Sequence, residues 1–502
     1  MTNPLHDALI GQQPAPAHPF LIAADGAMTS YADVDRESAR LANALVAAGV
    51  APGDRVAVQA EKSAAALALY LATVRAGAVF LPLNTAYTPD EIGYFFGDAE
   101  PALVVCDPAR FEATRATAGT AQVMTLGADG TTGSLIEAKD AQPDSHAPVA
   151  RNADDLAAIL YTSGTTGRSK GAMLSHRNLL SNARTLRDYW RVTADDVLLH
   201  ALPIFHTHGL FVATNTLMLA GAAMIFLPRF DAAQAIGLLP RATMMMGVPT
   251  FYTRLLDRAD FTAEAAGNIR LFISGSAPLL AETNRAFERR TGHRILERYG
   301  MTETNMNTSN PHDGDRRAGT VGFPLPGVEL RIMGEDGALP DGEIGMIEVR
   351  GPNVFQGYWR MPEKTAEELR PDGWFITGDL GTRDPDGYVS IVGRGKDLVI
   401  SGGFNVYPKE VELLIDELPG VLESAVIGVP HPDFGEAVVA VIARAPGADP
   451  DPQAIRAALE GRLAKFKQPK QVIVVDELPR NTMGKVQKAV LRAEHAGLFA
   501  GH

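Results

Sequence analysis

The chain has 502 residues, 46% hydrophobic and 21% charged, a length that one hydrophobic core does not serve and a composition that excludes a disordered or fibrous protein. A formal net charge of −13, with no block of Lys or Arg to offset it, argues against nucleic acid or an anionic lipid surface as a partner. Cys106 is the single cysteine, so no internal disulfide forms, and an inert buried thiol in a reducing compartment is the simpler reading.

The N-terminal stretch MTNPLHDALIGQQPAP has neither a basic n-region nor an apolar h-region, so no signal peptide is expected and a cytoplasmic location is. Ser30 and Asp33 stand at capping spacing ahead of Val34, Leu41 and Leu45, and Gly49 ends the helix they predict. Arg55 to Ala60 reads as a strand, Ala64 to Arg75 as a helix and Ala78 to Leu83 as the next strand. Thr88, Pro89 and Glu91 supply the cap, first-turn proline and capping acid of a further helix, followed by a strand at Leu103 to Cys106. Such alternation predicts an α/β sheet with helices on its faces.

The strand Leu156 to Leu160 leads into YTSGTTGRSKG, Tyr161 to Gly171. Its glycines admit close approach of backbone amides to an anion, its hydroxyls add donors and Lys170 adds charge, which suits a polyphosphate. A Walker loop fails here, because counting from Gly164 puts Ser169 where its second glycine belongs and Gly171 where its hydroxyl belongs. PIFHTHGL, Pro203 to Leu210, has two histidines two residues apart. On an extended strand His206 and His208 would share one side and Thr207 the other; a metal pair lacks a third ligand nearby. Leu210 to Leu227 is long and apolar, yet Thr214, Asn215, Thr216 and Gly221 interrupt it, so a helix, a glycine break and a buried strand are expected in place of a membrane span.

RYGMTET, Arg298 to Thr304, contains a Thr302–Glu303 pair that alone reads equally as a capping box, and a lone Tyr299 is more often core. From Val321 to Val392 short strands alternate with Pro/Gly/Asp turns, a β-rich lobe. Beyond Gly395 a helix at Pro408 to Leu418, strands near Ala425 to Val429 and Val438 to Ala443, a helix through Leu459 and a strand at Val472 to Val475 form a smaller unit. The expected organisation is an α/β N-terminal domain with a β-rich lobe, residues 1–395, and a small α+β domain, residues 396–502.

The phosphate loop, RYGMTET, TGDLG (Thr377 to Gly381), GRGKDLVISGGFNVYP (Gly393 to Pro408) and PRNTMGK (Pro479 to Lys485) occur in that order. Together they resemble the adenylate-forming superfamily of acyl-CoA synthetases, adenylation domains and luciferases. The resemblance implies a two-step reaction with ATP, Mg²⁺ and coenzyme A, in which a carboxylate attacks the α-phosphate and the acyl group then passes to a thiol. It assigns Thr162, Ser163, Gly164, Thr165, Thr166, Gly167 and Lys170 to the nucleotide phosphates. Tyr299 and Gly300 would lie against adenine, Thr302 would hold the α-phosphate and Glu303 would bind Mg²⁺. Asp379 would accept from the ribose hydroxyls with help from Arg394. Lys485 would bridge the substrate carboxylate and the α-phosphate. Lys396 would be the hinge of a mobile C-terminal domain, with Gly402 and Gly403 beside the pantetheine arm. His206 stands at the family's acyl-pocket position, and in several relatives the lysine equivalent to Lys485 is a target of lysine acetylation.

Arg298 narrows the acid. A guanidinium in a small pocket is costly unless an anion meets it, and the segment closely resembles the malonyl-CoA synthetases. Malonate is therefore expected, with Thr207, Met306 and Ser276 around it; an internal salt bridge to Glu297 or Glu303 is the competing role for Arg298. Methylmalonate, a short fatty or aryl acid, delivery to a carrier protein and a dead nucleotide-binding scaffold are the alternatives. The chain alone leaves monomer or dimer open.

Overall fold

The computed structural model describes residues 3–11, 16–162, 169–401, 404–460, 462–481 and 484–499. The chain divides into two compact units: residues 1–318, 322–329 and 349–375 form the first, and residues 319–321, 330–348 and 376–502 the second.

The first unit carries two α/β sheets. In the six-stranded sheet Gln122–Thr125, Leu103–Cys106, Arg55–Gln59, Val79–Pro82 and Leu156–Thr162 run parallel, and Lys170–Ser175 closes the edge antiparallel. The capping boxes read from Ser30 and Thr88 both form, at the starts of Tyr31–Ala47 and Pro89–Ala99. Ala64–Arg75 is almost wholly buried, so its Ala/Leu composition serves packing on both sides and leaves little amphipathic pattern.

The nine-stranded sheet has a parallel centre, in the order Leu296–Met301, Leu271–Ser274, Met244–Gly247, Val197–His200, Ala223–Phe226, Pro19–Ile22. The chain passes from Val197–His200 to a neighbour on one side and then to a neighbour on the other. The carboxyl end of that strand is thus a switch point, where open α/β sheets take their ligands. Phe272, Tyr252, Phe287 and Phe261 fill the core beneath it.

Leu210 to Leu227 divides as expected: a helix runs to Ala220, Gly221 adopts φ +72° and Ala223–Phe226 is a buried strand. Among the described residues no helix is long and apolar enough to cross a membrane. One local expectation is corrected. His206 to His208 is not extended; Thr207 is already helical (φ −52°, ψ −39°) and His208–Asn215 is a π-helix. Burial of this segment at the switch point satisfies its backbone locally, which an isolated strand there would not do.

In the second unit, strands Glu329–Gly334, Gly337–Ala338, Gly345–Arg350, Phe375–Arg383 and Val389–Arg394 form the β-rich lobe. The helix Pro362–Glu368, which the turn-rich sequence hid, belongs to the first unit. The C-terminal residues build a second sheet around the long hairpin Val421–His431 and Gly435–Arg444, packed by Pro408–Ile415 and Pro452–Leu459.

Candidate active site

Arg298 lies on Leu296–Met301 one residue past the pairing of Ser274 with Glu297, so it stands across from Gly275. Its guanidinium occupies the space that a side chain at Gly275 would need: a Cβ there would sit 2.3 Å from Cζ. Arg298 is 3% exposed, and its Nε and Nη2 find no acceptor among the described residues. Burial, eased only slightly by Tyr252, lowers it to about 9, so it remains cationic at neutral pH. The salt bridge to Glu297 or Glu303 that the sequence left open does not form among the described residues. Successive strand residues point to opposite faces, which already separates Glu297 from Arg298.

The turn after His200 brings three further groups to this pocket. Thr207 donates through Oγ1 to Asn305 Oδ1 at 2.7 Å. His208 is buried, with Nδ1 3.2 Å from Ser276 Oγ and Nε2 without a partner among the described residues. Burial first, then the charge of Arg298, holds its imidazole well below the ordinary histidine value, so the ring is neutral. Ser276 itself is left-handed at φ +71°, a conformation a non-glycine residue keeps only when its surroundings hold it. Met306 is buried on the antiparallel strand Asn305–Ser309 and packs over Gly300, where any Cβ would strike the Asn305 carbonyl. His206 is half-buried, and its Nδ1 accepts from the His208 amide at 3.4 Å.

Thr302, Glu303 and Thr304 form the turn between these strands, closed by the pairing of Met301 with Asn305 at φ +51°. Asn is among the few residues that enter that region readily. The Thr302–Glu303 pair is therefore a hairpin tip and not a helix cap. Glu303 is 5% exposed, and its Oε1 lies 3.0 Å from Tyr358 Oη. The same hydroxyl lies 2.6 Å from Glu368 Oε2 and donates to one carboxylate at a time. Lys170 completes the cluster, with Nζ 3.0 Å and 3.1 Å from the Glu368 oxygens and 4.0 Å from the Tyr358 ring centroid. Burial works against ionisation of Glu368, but donors from Tyr358, Lys170 and Lys364 outweigh it and hold the carboxyl below its usual value.

Thr162 pairs with Lys170 across two strands, framing the phosphate loop; Ser163, Gly164, Thr165, Thr166 and Gly167 lie outside the described residues, as do Gly402 and Gly403. No group of three or more His, Cys, Asp or Glu among the described residues is arranged to hold a metal. A single buried carboxylate at Glu303 nevertheless suits Mg²⁺, which takes one or two protein carboxylates and fills its octahedron with phosphate oxygens and water.

In the second unit Asp379, 4% exposed, pairs in register with Arg394, whose Nε lies 2.7 Å from Asp379 Oδ1. Lys396 follows in a short 3₁₀ turn, Gly395–Asp397. Partial desolvation, with Arg394, Lys485 and Arg492 close by, lowers it to about 8 against the pull of Asp397. Lys485 is exposed on a tight turn in which its amide donates to Asn481 Oδ1 at 2.9 Å. The charges of Arg394, Lys485 and Arg492 thus all act against the ammonium of Lys396.

Sequence reasoning passed over Gly275, Asn305, Tyr358 and Glu368. Gly275 had a signal, a glycine inside SGSAPL, but what it makes room for lies 23 residues away in the chain. Glu368 had none, since its partner Lys170 is 198 residues distant.

The AMP-binding enzyme family matches residues 11–359, and the AMP-binding enzyme C-terminal domain matches residues 410–485. A feruloyl-CoA synthase of an Amycolatopsis species is 38% identical over 95% of this chain and 96% of its own length. A malonate–CoA ligase of Arabidopsis thaliana is 36% identical over 88% of this chain and 78% of its own length. The crystal structure of ATP-bound MatB from Rhodopseudomonas palustris superposes with a TM-score of 0.98 at 61% identity, covering 99% of this chain and 100% of that one.

Proposed function

The chain belongs to the AMP-binding enzyme family and is an acid–thiol ligase, and we propose that the acid it activates is malonate. The observation that carries this reading is the buried Arg298 guanidinium, whose Nε and Nη2 have no partner among the described residues. A free carboxylate fits such a fork through two parallel charge-assisted hydrogen bonds, whereas a greasy or aryl acid would leave the charge uncompensated. The 61% identity to ATP-bound MatB and the relative named for malonate support the same choice.

On this reading ATP, malonate and coenzyme A yield malonyl-CoA, AMP and diphosphate through malonyl-adenylate. Arg298 grips the distal carboxylate, so that the proximal one is presented for attack and does not exchange places with it. Thr207, Met306, His206 and Ser276 shape the space around the α-carbon. Thr302 donates to the α-phosphate, and Lys170 with Thr162 and residues 163–167 cradles the leaving diphosphate. Glu303 would hold Mg²⁺, which when bound neutralises phosphate charge. Tyr299 and Gly300 border the base, and Asp379, oriented by Arg394, accepts from the ribose hydroxyls.

Lys485 offsets the repulsion between the two anions as they meet. Residues 396–502 then turn about Lys396 to bring Gly402 and Gly403 to the pantetheine of coenzyme A, whose thiolate displaces AMP. The decisive experiment is an acid panel of malonate, methylmalonate, sulfoacetate, butyrate, benzoate and ferulate, scored by acid-dependent AMP release with and without coenzyme A. Malonate should lead. Ferulate or butyrate ahead of malonate would overturn the assignment while leaving the ligase chemistry intact.

A further inference from the structure

Lys62 follows the strand Arg55–Gln59 in the six-stranded sheet and is 8% exposed, yet no carboxylate among the described residues accepts from it. Its Nζ donates instead to His200 Nδ1 and to the His200 carbonyl, both at 2.8 Å. It also stands 4.2 Å from the Phe226 ring centroid. A lysine taken out of water with no counter-charge is expensive, and burial holds its ammonium well below the ordinary value. Such a residue calls for a role.

The hydrogen bonds define one. His200 is fully buried at the switch point, and its Nε2 lies 2.9 Å from the Gly209 carbonyl. A carbonyl only accepts, so Nε2 carries the proton; in the neutral ring Nδ1 is then the acceptor, which is where Lys62 donates. Thr214 Oγ1 donates to the same carbonyl at 3.0 Å. Gly209 also lies close against the Pro203 carbonyl, since a Cβ there would sit 2.1 Å from its oxygen. The two residues immediately before it are Thr207, bonded to Asn305, and His208, whose Nε2 faces the Arg298 pocket without a partner among the described residues.

We propose that Lys62 is a positioning residue for acid selection: by fixing the His200 tautomer it locks the Gly209 carbonyl, and with it the π-helical turn that presents Thr207 and His208 beside Arg298. The inference rests on the reading of that pocket as the malonate site. Lys62 touches neither substrate nor nucleotide in this scheme. π-Helical turns recur at functional sites.

The test uses the full chain, its Lys62→Met variant, which removes the donors and is one chain atom shorter, and Lys62→Gln, which is equally short but keeps an amide donor group. For Lys62→Met the malonate KM should rise about tenfold while the ATP KM stays within about twofold, with Lys62→Gln between the two. Nitrogen-15 spectra of histidine-labelled protein supply an independent readout. One imidazole, identified by its loss in His200→Gln, should show the Nε2–H tautomer from pH 5.5 to 9 in the wild type and a mixed tautomer in Lys62→Met. Parallel rises in the acid and ATP KM, or a lower melting temperature with both unchanged, would make Lys62 a plain structural anchor and overturn the proposal. Should Lys62→Met not fold, Lys62→Gln carries the same comparison, and a wild-type His200 protonated at Nδ1 overturns the proposal without any variant. A wild type that ligates no malonate defeats the functional reading instead, a result separable from all of these.

Discussion

Arg298 and Lys170 are both cations of the first unit that the motifs assign to an anion, yet the fold holds them in opposite ways. Lys170 is paired with Glu368, and the Tyr358 hydroxyl stands between that carboxylate and Glu303, within reach of either. Arg298 is more deeply buried and has no counter-charge among the described residues. A self-neutralised cluster is stable without ligand and must exchange partners to bind one. An uncompensated guanidinium raises the free energy of the empty pocket, and a carboxylate ligand relieves it. On the proposed reading, selectivity resides where no charge among the described residues answers the guanidinium.

The largest expected effect tests that contrast directly. Arg298→Ala should lower kcat/KM for malonate about 30- to 5,000-fold, the equivalent of about 2–5 kcal/mol for a lost buried charge-assisted pair, with the ATP KM little changed. Arg298→Met should at the same time raise the melting temperature, since a buried uncompensated charge is removed. A lower melting temperature would show that Arg298 is already satisfied and would break the comparison.

His176 sharpens it by showing what burial does to a group that can shed its proton. It is fully buried, neither ring nitrogen has a partner among the described residues, and burial followed by Arg151 lowers it to about 4. An unfolded histidine titrates near 6.5, so between those values the unfolded chain binds the extra proton. The stabilisation is complete above pH 6.5 and is lost as pH falls towards 4, on the order of 3 kcal/mol in all. Melting temperatures from pH 7 to 4.5 should fall less steeply in His176→Leu than in the wild type.

Gly275→Ala comes next. Its methyl group would occupy the guanidinium position and should raise the malonate KM about 5- to 160-fold, an overpacking cost of about 1–3 kcal/mol, without altering ATP binding. The smallest effect belongs to the paired site. Glu368→Gln frees Lys170 from a partly exposed ion pair worth about 1 kcal/mol or less, so ATP should bind up to about fivefold tighter by calorimetry. Weaker binding would mean that Glu368 aims Lys170 at the phosphates, and would bring the two sites closer in design than the comparison holds.

Helices and strands of the first 110 residues were legible because their signals are local. Ser30 with Asp33, and Thr88 with Glu91, cap within a single turn, and each forms as read. The helix Pro362–Glu368 escaped because it is short and starts without a side-chain cap. His206 to His208 misled because an alternation of side-chain types resembles a strand wherever the backbone goes, and tertiary burial selected a π-helical turn.

What the sequence by itself determined about this protein is its α/β architecture, its ligase family and the identity of its candidate site residues, all carried by caps, periodicity and motifs a few residues long. Only the tertiary structure decided which charges are answered. Lys170 meets Glu368 across 198 residues and Lys62 meets His200 across 138, while Arg298 meets no carboxylate among the described residues. Such pairings depend on how whole sheets and helices pack, because desolvation and Coulomb energy are set by neighbours in space and not by neighbours in the chain.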